Sequence, residues 1–276
     1  MMEKKYLSAP LPFVGQKRMF ANEYKNVLNT VENASVFVDL FGGSGLLSHI
    51  TKRERPDATV VYNDFDNYRR RLENVGRTNH ILAELRELTK HVPRHKIIPG
   101  TVRKRIFSLL EQEEAEAGYV DYITLSSSLL FSMKYVLSLE GLAKETMYNN
   151  IRKTDYDCFG YLDGLEITSC DYRELFNKYK GREDVVFLVD PPYLSTEVGT
   201  YSMYWRLPDY LDVLKVLNGH RFVYFTSNKS SIIELCEWLG KNNEVGNPFE
   251  KAVRKEFNAH MNYNSRYTDI MLYNVA

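Results

Sequence analysis

The sequence has little that would mark a metalloprotein, a disulfide scaffold or a membrane protein. Only three cysteines occur, Cys158, Cys170 and Cys236, and no two form a Cys-x-x-Cys pair. That spacing suggests neither a zinc site nor a disulfide framework, fits a reducing interior, and leaves no metal expected. No apolar run reaches the roughly 18 residues of a membrane span and no signal-peptide pattern opens the chain, so a cytoplasmic location is expected. Net charge is missing too: 36 Lys and Arg balance 36 Asp and Glu. No global field draws such a chain to a polyanion, so any nucleic-acid contact has to come from local clustering.

What is present is ordinary in amount and particular in order. The 276 residues, 44% hydrophobic and 26% charged, suit a soluble α/β domain with room for an inserted subdomain. Its centre is Val185-Val186-Phe187-Leu188-Val189 followed by Asp190-Pro191-Pro192-Tyr193. The unbroken apolar run predicts a strand buried on both faces, as inside a parallel sheet. The two prolines remove backbone donors and fix φ, so the strand stops in a stiff turn. Ligands bind at such strand ends in open α/β sheets. This turn offers a carboxylate, carbonyls and an aromatic ring, a set that suits a flat group bearing an exocyclic amine.

A second strand end lies upstream. Val36-Phe37-Val38-Asp39-Leu40-Phe41 leads into Gly42-Gly43-Ser44-Gly45 and a helical pattern through Leu46, Leu47 and Ile50. Glycines permit a tight turn and close backbone approach, and the helix amino end offers free N–H groups. The spacing is neither Gly-x-Gly-x-x-Gly nor the phosphate-binding Gly-x-x-x-x-Gly-Lys pattern. Asp39 is poorly placed against a pyrophosphate and well placed for a cationic amine, which favours a positively charged cofactor over a dinucleotide. The strand Thr59–Tyr62 ends near Asp64, about 20 residues after the turn, where an acid accepts hydrogen bonds from ribose hydroxyls. The α/β pattern resumes with Glu166–Tyr172, a helix from Arg173, the strand Arg221–Asn228, a helix from Ile232 and a last strand at Tyr267–Tyr273.

Between these parts, residues from about 67 to 164 do not read as alternating βα units. Seven Lys or Arg and a single acid, Glu87, fall between Arg86 and Arg105. Phosphate contact is the functional reading of this bias, and a solvated helix face is the plain one. Arg94, Lys96, Arg103, Lys104, Arg105, Arg152 and Lys153 are the candidate nucleic-acid contacts. Ser126–Ser132 reads as an apolar, serine-rich helix.

Assembled in order, these residues resemble a Dam-like (alpha-class) DNA N6-adenine methyltransferase. Phe13-Val14-Gly15-Gln16-Lys17 resembles that family's amino-terminal cofactor motif, Asp39 to Gly45 its D-x-F-x-G-x-G turn, and Asp64-Phe65-Asp66 its ribose motif. Asp171-Tyr172 resembles its adenine-facing pair, and Asp190-Pro191-Pro192-Tyr193 matches its catalytic tetrad in full. The resemblance implies a Rossmann-like S-adenosylmethionine-dependent sheet from residues 1–80 and 165–276, with a mostly helical target-recognition insertion at 81–164. It implies catalysis by Asp190, Pro191, Pro192 and Tyr193, with Tyr193 stacking on a flipped adenine. It implies cofactor binding by Phe13, Gly15, Lys17, Asp39, Phe41, Gly42, Gly43, Gly45, Asp64, Asp171, Tyr172 and Asp190. It also implies S-adenosyl-L-methionine as donor, S-adenosyl-L-homocysteine as product, double-stranded DNA as partner and a monomer. The stretch from Ser126 to Tyr135 lacks the Asn-Gly-x-x-Arg-x-Asn segment common in the family, which leaves the recognised sequence open.

Three rival readings stand beside this one. An RNA adenine or a protein amide would keep the chemistry and change the substrate, although Asp rather than Asn at position 190 goes with the DNA-adenine class. An NAD-dependent oxidoreductase would explain the glycine turn and Asp64 but leaves Asp-Pro-Pro-Tyr without a role. A catalytically silent DNA-binding protein would have no need of the complete site.

Overall fold

The computed structural model describes residues 6–131, 134–192, 207–228, 230–241, 246–262 and 265–276. In chain order its elements are α1 (Ala21–Thr30), β1 (Val36–Asp39), α2 (Leu46–Glu54), β2 (Thr59–Asn63), α3 (Tyr68–Glu73) and α4 (Val75–Leu88). Then come α5 (Gly100–Ala117), α6 (Tyr122–Leu129), α7 (Leu139–Ala143), β3 (Glu166–Thr168), α8 (Tyr172–Tyr179) and β4 (Val185–Val189). The chain closes with α9 (Leu207–Leu217), β5 (Phe222–Ser227), α10 (Ile232–Lys241), β6 (Val253–Asn262) and β7 (Ser265–Asn274).

The seven strands form one sheet in the order β3-β2-β1-β4-β5-β7-β6. β1 pairs in parallel with both β2 and β4, β4 in parallel with β5, and β7 runs antiparallel to β5. Every residue of β1, β4 and β5 is buried, as continuous apolar runs in a helix-covered parallel sheet require. Alternate residues serve opposite faces. Val36, Val38, Phe187, Val189 and Tyr224 share one core with Tyr172, Leu175, Val213 and Leu217 from α8 and α9. Phe37, Val186, Leu188, Val223 and Phe225 share the other with Tyr24, Leu28, Leu47 and Ile50 from α1 and α2. The result is the Rossmann-like architecture expected from the sequence.

The chain divides into two compact units, one of residues 1–8, 16–67 and 162–276, the other of residues 9–15 and 68–161. The sequence placed these divisions at 80/81 and 164/165. The first unit holds the whole sheet. The second is helical, with α4 packed on α5 and α6, and α5 on α7. Its polar centre is Arg71, whose guanidinium meets Asp121 at 3.0 Å and donates to Thr124 Oγ1 and to the Pro12 carbonyl. The Leu11 backbone N–H donates to the Tyr68 hydroxyl at 3.0 Å, so residues 9–15 are tied into this unit and not into the sheet.

Three sequence readings shift in detail. The basic stretch from Arg86 to Arg105 is not one helix face: Arg86 lies in the last turn of α4, Lys90, Arg94 and Lys96 lie on the connection, and Arg103, Lys104 and Arg105 lie on α5. The serine-rich helix starts earlier, at Tyr122 behind an Asp121 cap, and ends at Leu129. β6 was not anticipated at all.

Candidate functional site

At β1 the order of strands reverses: β2 lies on one side and β4 on the other. Crossovers leave such a switch point in opposite directions and open a crevice beyond the carboxyl ends of the strands. Asp39 ends β1, and Asp39 is in register with Leu188 of β4, so Asp190 follows just beyond the same edge. Two carboxylates thus stand side by side at the crevice.

Asp39 is fully buried. Ser48, in the first turns of α2, donates its hydroxyl to Asp39 Oδ2 at 2.6 Å. Asp39 Oδ1 has no hydrogen-bond partner among the described residues. Burial, with a smaller push from the Asp190 charge, raises the Asp39 pKa to about 7, against the pull of the Ser48 hydroxyl. The backbone N–H groups of Phe41 and Ser48 also pull that pKa down, and the buried oxygen without a hydrogen bond of its own suits a cationic or hydrogen-bond-donating ligand.

The glycine turn follows directly. Gly43 and Gly45 have φ of 48° and 71°, in the left-handed region that favours glycine. Gly45 caps α2 and donates to the Gly42 carbonyl at 2.7 Å. The Tyr62 hydroxyl lies 2.8 Å from the Gly43 carbonyl and 3.0 Å from Asp64 Oδ1, linking the turn to the acid at the end of β2. Asn63 donates through Nδ2 to the carbonyls of Leu40 and Cys170, and accepts from the Cys170 N–H. One amide therefore fixes β1, β2 and the loop entering α8 together. On that loop Asp171 caps α8 and pairs with Arg173 at 3.3 Å, while the Tyr172 ring packs on Phe41 at 4.8 Å.

Asp190 meets a cation from elsewhere in the first unit: Lys17 Nζ lies 2.6 Å from its Oδ2. Burial pushes the Asp190 pKa up and Lys17 pulls it back. Pro191 is buried and Pro192 half-buried. Tyr193 lies outside the described residues.

Of the candidate residues, the structure brings together Lys17, Asp39, Gly42, Gly43, Gly45, Asp64 and Asp190, with Phe41, Asp171 and Tyr172 on neighbouring loops. Phe13 and Gly15 belong to the second unit, where Phe13 packs edge-on against Tyr68. Ser48, Tyr62 and Asn63 escaped sequence reasoning. A tyrosine two residues before the ribose acid, and a serine one turn into the helix, were the signals that could have found them.

Among the basic candidates, Arg94 donates to the Ile151 carbonyl and Arg103 to the Ala143 carbonyl, so both hold backbone. Arg152 donates to the Thr154 carbonyl and lies over Tyr156. Lys96, Lys104, Arg105 and Lys153 are exposed, and their side chains have no partner among the described residues. No group of three His, Cys, Asp or Glu among the described residues is placed to hold a metal ion. No helix among them is long and apolar enough to cross a membrane.

The buried Asp39 gives a pH dependence with a definite sign. Its folded pKa of about 7 lies above the ordinary 3.8. Its contribution to stability is therefore full below that ordinary value and is lost as pH rises through about 7. A cationic ligand favours the ionised form, so binding below pH 7 takes up the site by expelling a proton. Melting temperature against pH, compared between wild type and Asp39→Asn, checks this: the variant is expected to lose the decline between pH 4 and 7. Identical profiles would rule the assignment out.

Comparison with known proteins agrees with this chemistry. The model of the D12 class of N6 adenine-specific DNA methyltransferases matches residues 13–212. A Haemophilus influenzae protein named "Putative methyltransferase" is 36% identical over 282 aligned positions, covering 98% of this chain and 93% of the relative.

Proposed function

The chain belongs to the D12 class of N6 adenine-specific DNA methyltransferases, and from that premise we propose that it methylates N6 of an adenine turned out of duplex DNA, with S-adenosyl-L-methionine as donor. The observation that carries the reading is the pair of carboxylates at the switch point. One leaves an oxygen unpaired beside a glycine turn, and the other is followed by Pro-Pro.

When bound, S-adenosylmethionine supplies an electrophilic methyl group on a sulfonium sulfur. Asp39, Gly42, Gly43, Gly45 and Asp64 would hold it, since the set combines a buried anion, open backbone and a ribose acceptor. The adenine amine is a poor nucleophile because its lone pair is delocalised into the ring. The Asp190 carboxylate accepts one N6 hydrogen and the Pro191 carbonyl the other. Both draw the nitrogen toward tetrahedral geometry and stabilise the positive charge that develops on it as the N6–methyl bond forms and the methyl–sulfur bond breaks; loss of one N6 proton to solvent then gives the neutral methylamine. Holding two bound reactants in line supplies much of the remaining rate enhancement. The target atom is out of reach in a stacked duplex, so the base has to leave the stack at a cost of a few kcal/mol. Tyr193 is the stacking partner that offsets part of this, by ~1–3 kcal/mol.

Transfer of tritium from labelled donor to duplex DNA tests the reading, with structured RNA and a protein extract in parallel. The expected product is N6-methyladenine in DNA. Label found only in RNA or protein would overturn the substrate, and no transfer without donor binding would overturn the reaction.

The exposed cations of the helical unit give a second test. Replacing Lys104 and Arg105 with alanine is expected to weaken DNA binding across sequences. The slope of log affinity against log salt should fall by ~0.9 for each phosphate that is no longer neutralised. Saturating DNA should restore turnover. A slope equal to wild type would remove these two residues from the interface.

A further inference from the structure

We propose that Lys17 is a positioning residue for the catalytic carboxylate: its ammonium orients Asp190 and keeps it in the ionised, hydrogen-accepting form. This deepens the adenine-methylation reading and rests on it. The resemblance to known enzymes groups Lys17 with the donor-binding residues. The geometry brings its ammonium to Asp190.

Three observations carry the assignment. The contact is short, 2.6 Å from Nζ to Oδ2, as in a charge-assisted hydrogen bond. It is withdrawn from water, with the two side chains 7% and 18% exposed, so it escapes the screening that weakens surface pairs. Its origin is also anchored. Lys17 opens the helical turn Arg18–Phe20, and its carbonyl accepts from the Phe20 N–H at 3.0 Å. Phe20 is fully buried, with its ring edge-on against Phe225 and Phe257. The lysine backbone is thereby pinned to the sheet while its side chain reaches the carboxylate.

The other charge acting on Asp190 works against its ionisation: Asp269 on β7 is negative, while Asp39, which ends the neighbouring strand, is itself pushed toward the neutral acid by burial. Tyr267, on the same strand as Asp269, has its hydroxyl pKa raised by burial and is neutral at physiological pH. Burial and the Asp269 carboxylate favour the neutral acid, and Lys17 opposes them. A neutral Asp190 would carry a proton on an oxygen that has to accept from the amine. The lysine also occupies Oδ2 and leaves Oδ1 unclaimed among the described residues.

The pH–rate profile of the full-length enzyme on duplex DNA tests the proposal, in wild type, Lys17→Met, Lys17→Arg and Lys17→Ala. In Lys17→Met the acid limb of kcat is expected to move up by about one to three pH units, the usual effect of removing an adjacent opposite charge. The loss of rate should therefore shrink as pH rises, with donor affinity unchanged. Lys17→Arg should keep the wild-type limb, and added methylammonium should restore part of the Lys17→Ala rate. In the substrate-free protein, carbon-13 carboxyl resonances should show a higher Asp190 midpoint in Lys17→Met. In wild type the nitrogen-15 signal of Lys17 Nζ should respond to the Asp190 titration, a measurement that needs no variant. An unmoved limb with lost donor affinity, or a Lys17 signal blind to Asp190, would overturn the proposal. Wild-type protein that fails to methylate DNA would instead overturn the proposed function, and the two resonance titrations would still decide the role of Lys17.

Discussion

Asp190→Ala is expected to lower turnover on duplex DNA by about 10³-fold or more, while S-adenosylmethionine binds close to wild-type affinity. The size follows from what the substitution removes. A single preorganised acceptor or donor aimed at developing charge is worth roughly 10²–10³ in rate. Asp190 also fixes the pose of the amine it receives. Donor affinity is spared because the orphaned oxygen that invites a cation belongs to Asp39, whose partner is Ser48. The alanine variant also leaves Lys17 without its 2.6 Å partner in a site 7% exposed, so some loss of stability accompanies the loss of rate. A melting curve taken beside single-turnover kinetics separates the two. Asp190→Asn sharpens the result: it keeps an acceptor oxygen and much of the packing but gives up the charge, so its rate should stay near that of alanine. Near-normal turnover in either folded variant would remove Asp190 from the chemistry.

The parts of this site that were legible in the sequence are those the chain must encode locally. A strand buried on both faces has to be apolar throughout, so Val185–Val189 and Val36–Val38 announced themselves. A turn with left-handed residues has to use glycines, so Gly43 and Gly45 did too. Asp39 and Asp190 stood out because each interrupts such a run. Their adjacency was not legible, because it depends on β1 and β4 pairing across more than a hundred intervening residues. The same holds for Asn63, whose partners Leu40 and Cys170 lie far along the chain in opposite directions. β6 was missed for a different reason. Val253-Arg254-Lys255-Glu256 carries three charges in a row, and an edge strand needs only one partner, here β7, to hold it. In the helical unit, the basic residues drew the eye from the buried positions Ile81, Leu82, Leu85, Ile106 and Leu110, which recur at helical spacing on α4 and α5. Nor can a sequence tell an arginine that holds a carbonyl, as Arg103 does, from one left exposed, as Arg105 is.

Gly42→Ala is expected to damage the donor site without touching any charged or catalytic group. A Cβ at position 42 would overlap the Tyr62 ring and lie 2.8 Å from the Asn63 carbonyl oxygen. Neither neighbour can yield. The Tyr62 ring is fully buried, with its hydroxyl held between the Gly43 carbonyl and Asp64. Asn63 lies in β2 and is bound through its amide to two other segments. The turn itself must therefore move, and overpacking of this kind costs about 1–3 kcal/mol. If half of that strain falls on the bound geometry, donor affinity drops roughly two- to twelvefold, since about 1.4 kcal/mol is one decade. Gly76→Ala provides the opposite case. That glycine lies in α4 with open space around the added methyl, and alanine is favoured there by about 1 kcal/mol. The two substitutions are chemically identical, so melting temperatures should move in opposite directions and only the first should weaken donor binding by calorimetry. A Tyr62→Ala background should recover part of the Gly42→Ala loss, because the ring is what the methyl strikes. Wild-type melting and wild-type donor affinity in Gly42→Ala would mean that the turn has slack, and the close packing of Tyr62 on Gly42 would then not be what shapes the cofactor site.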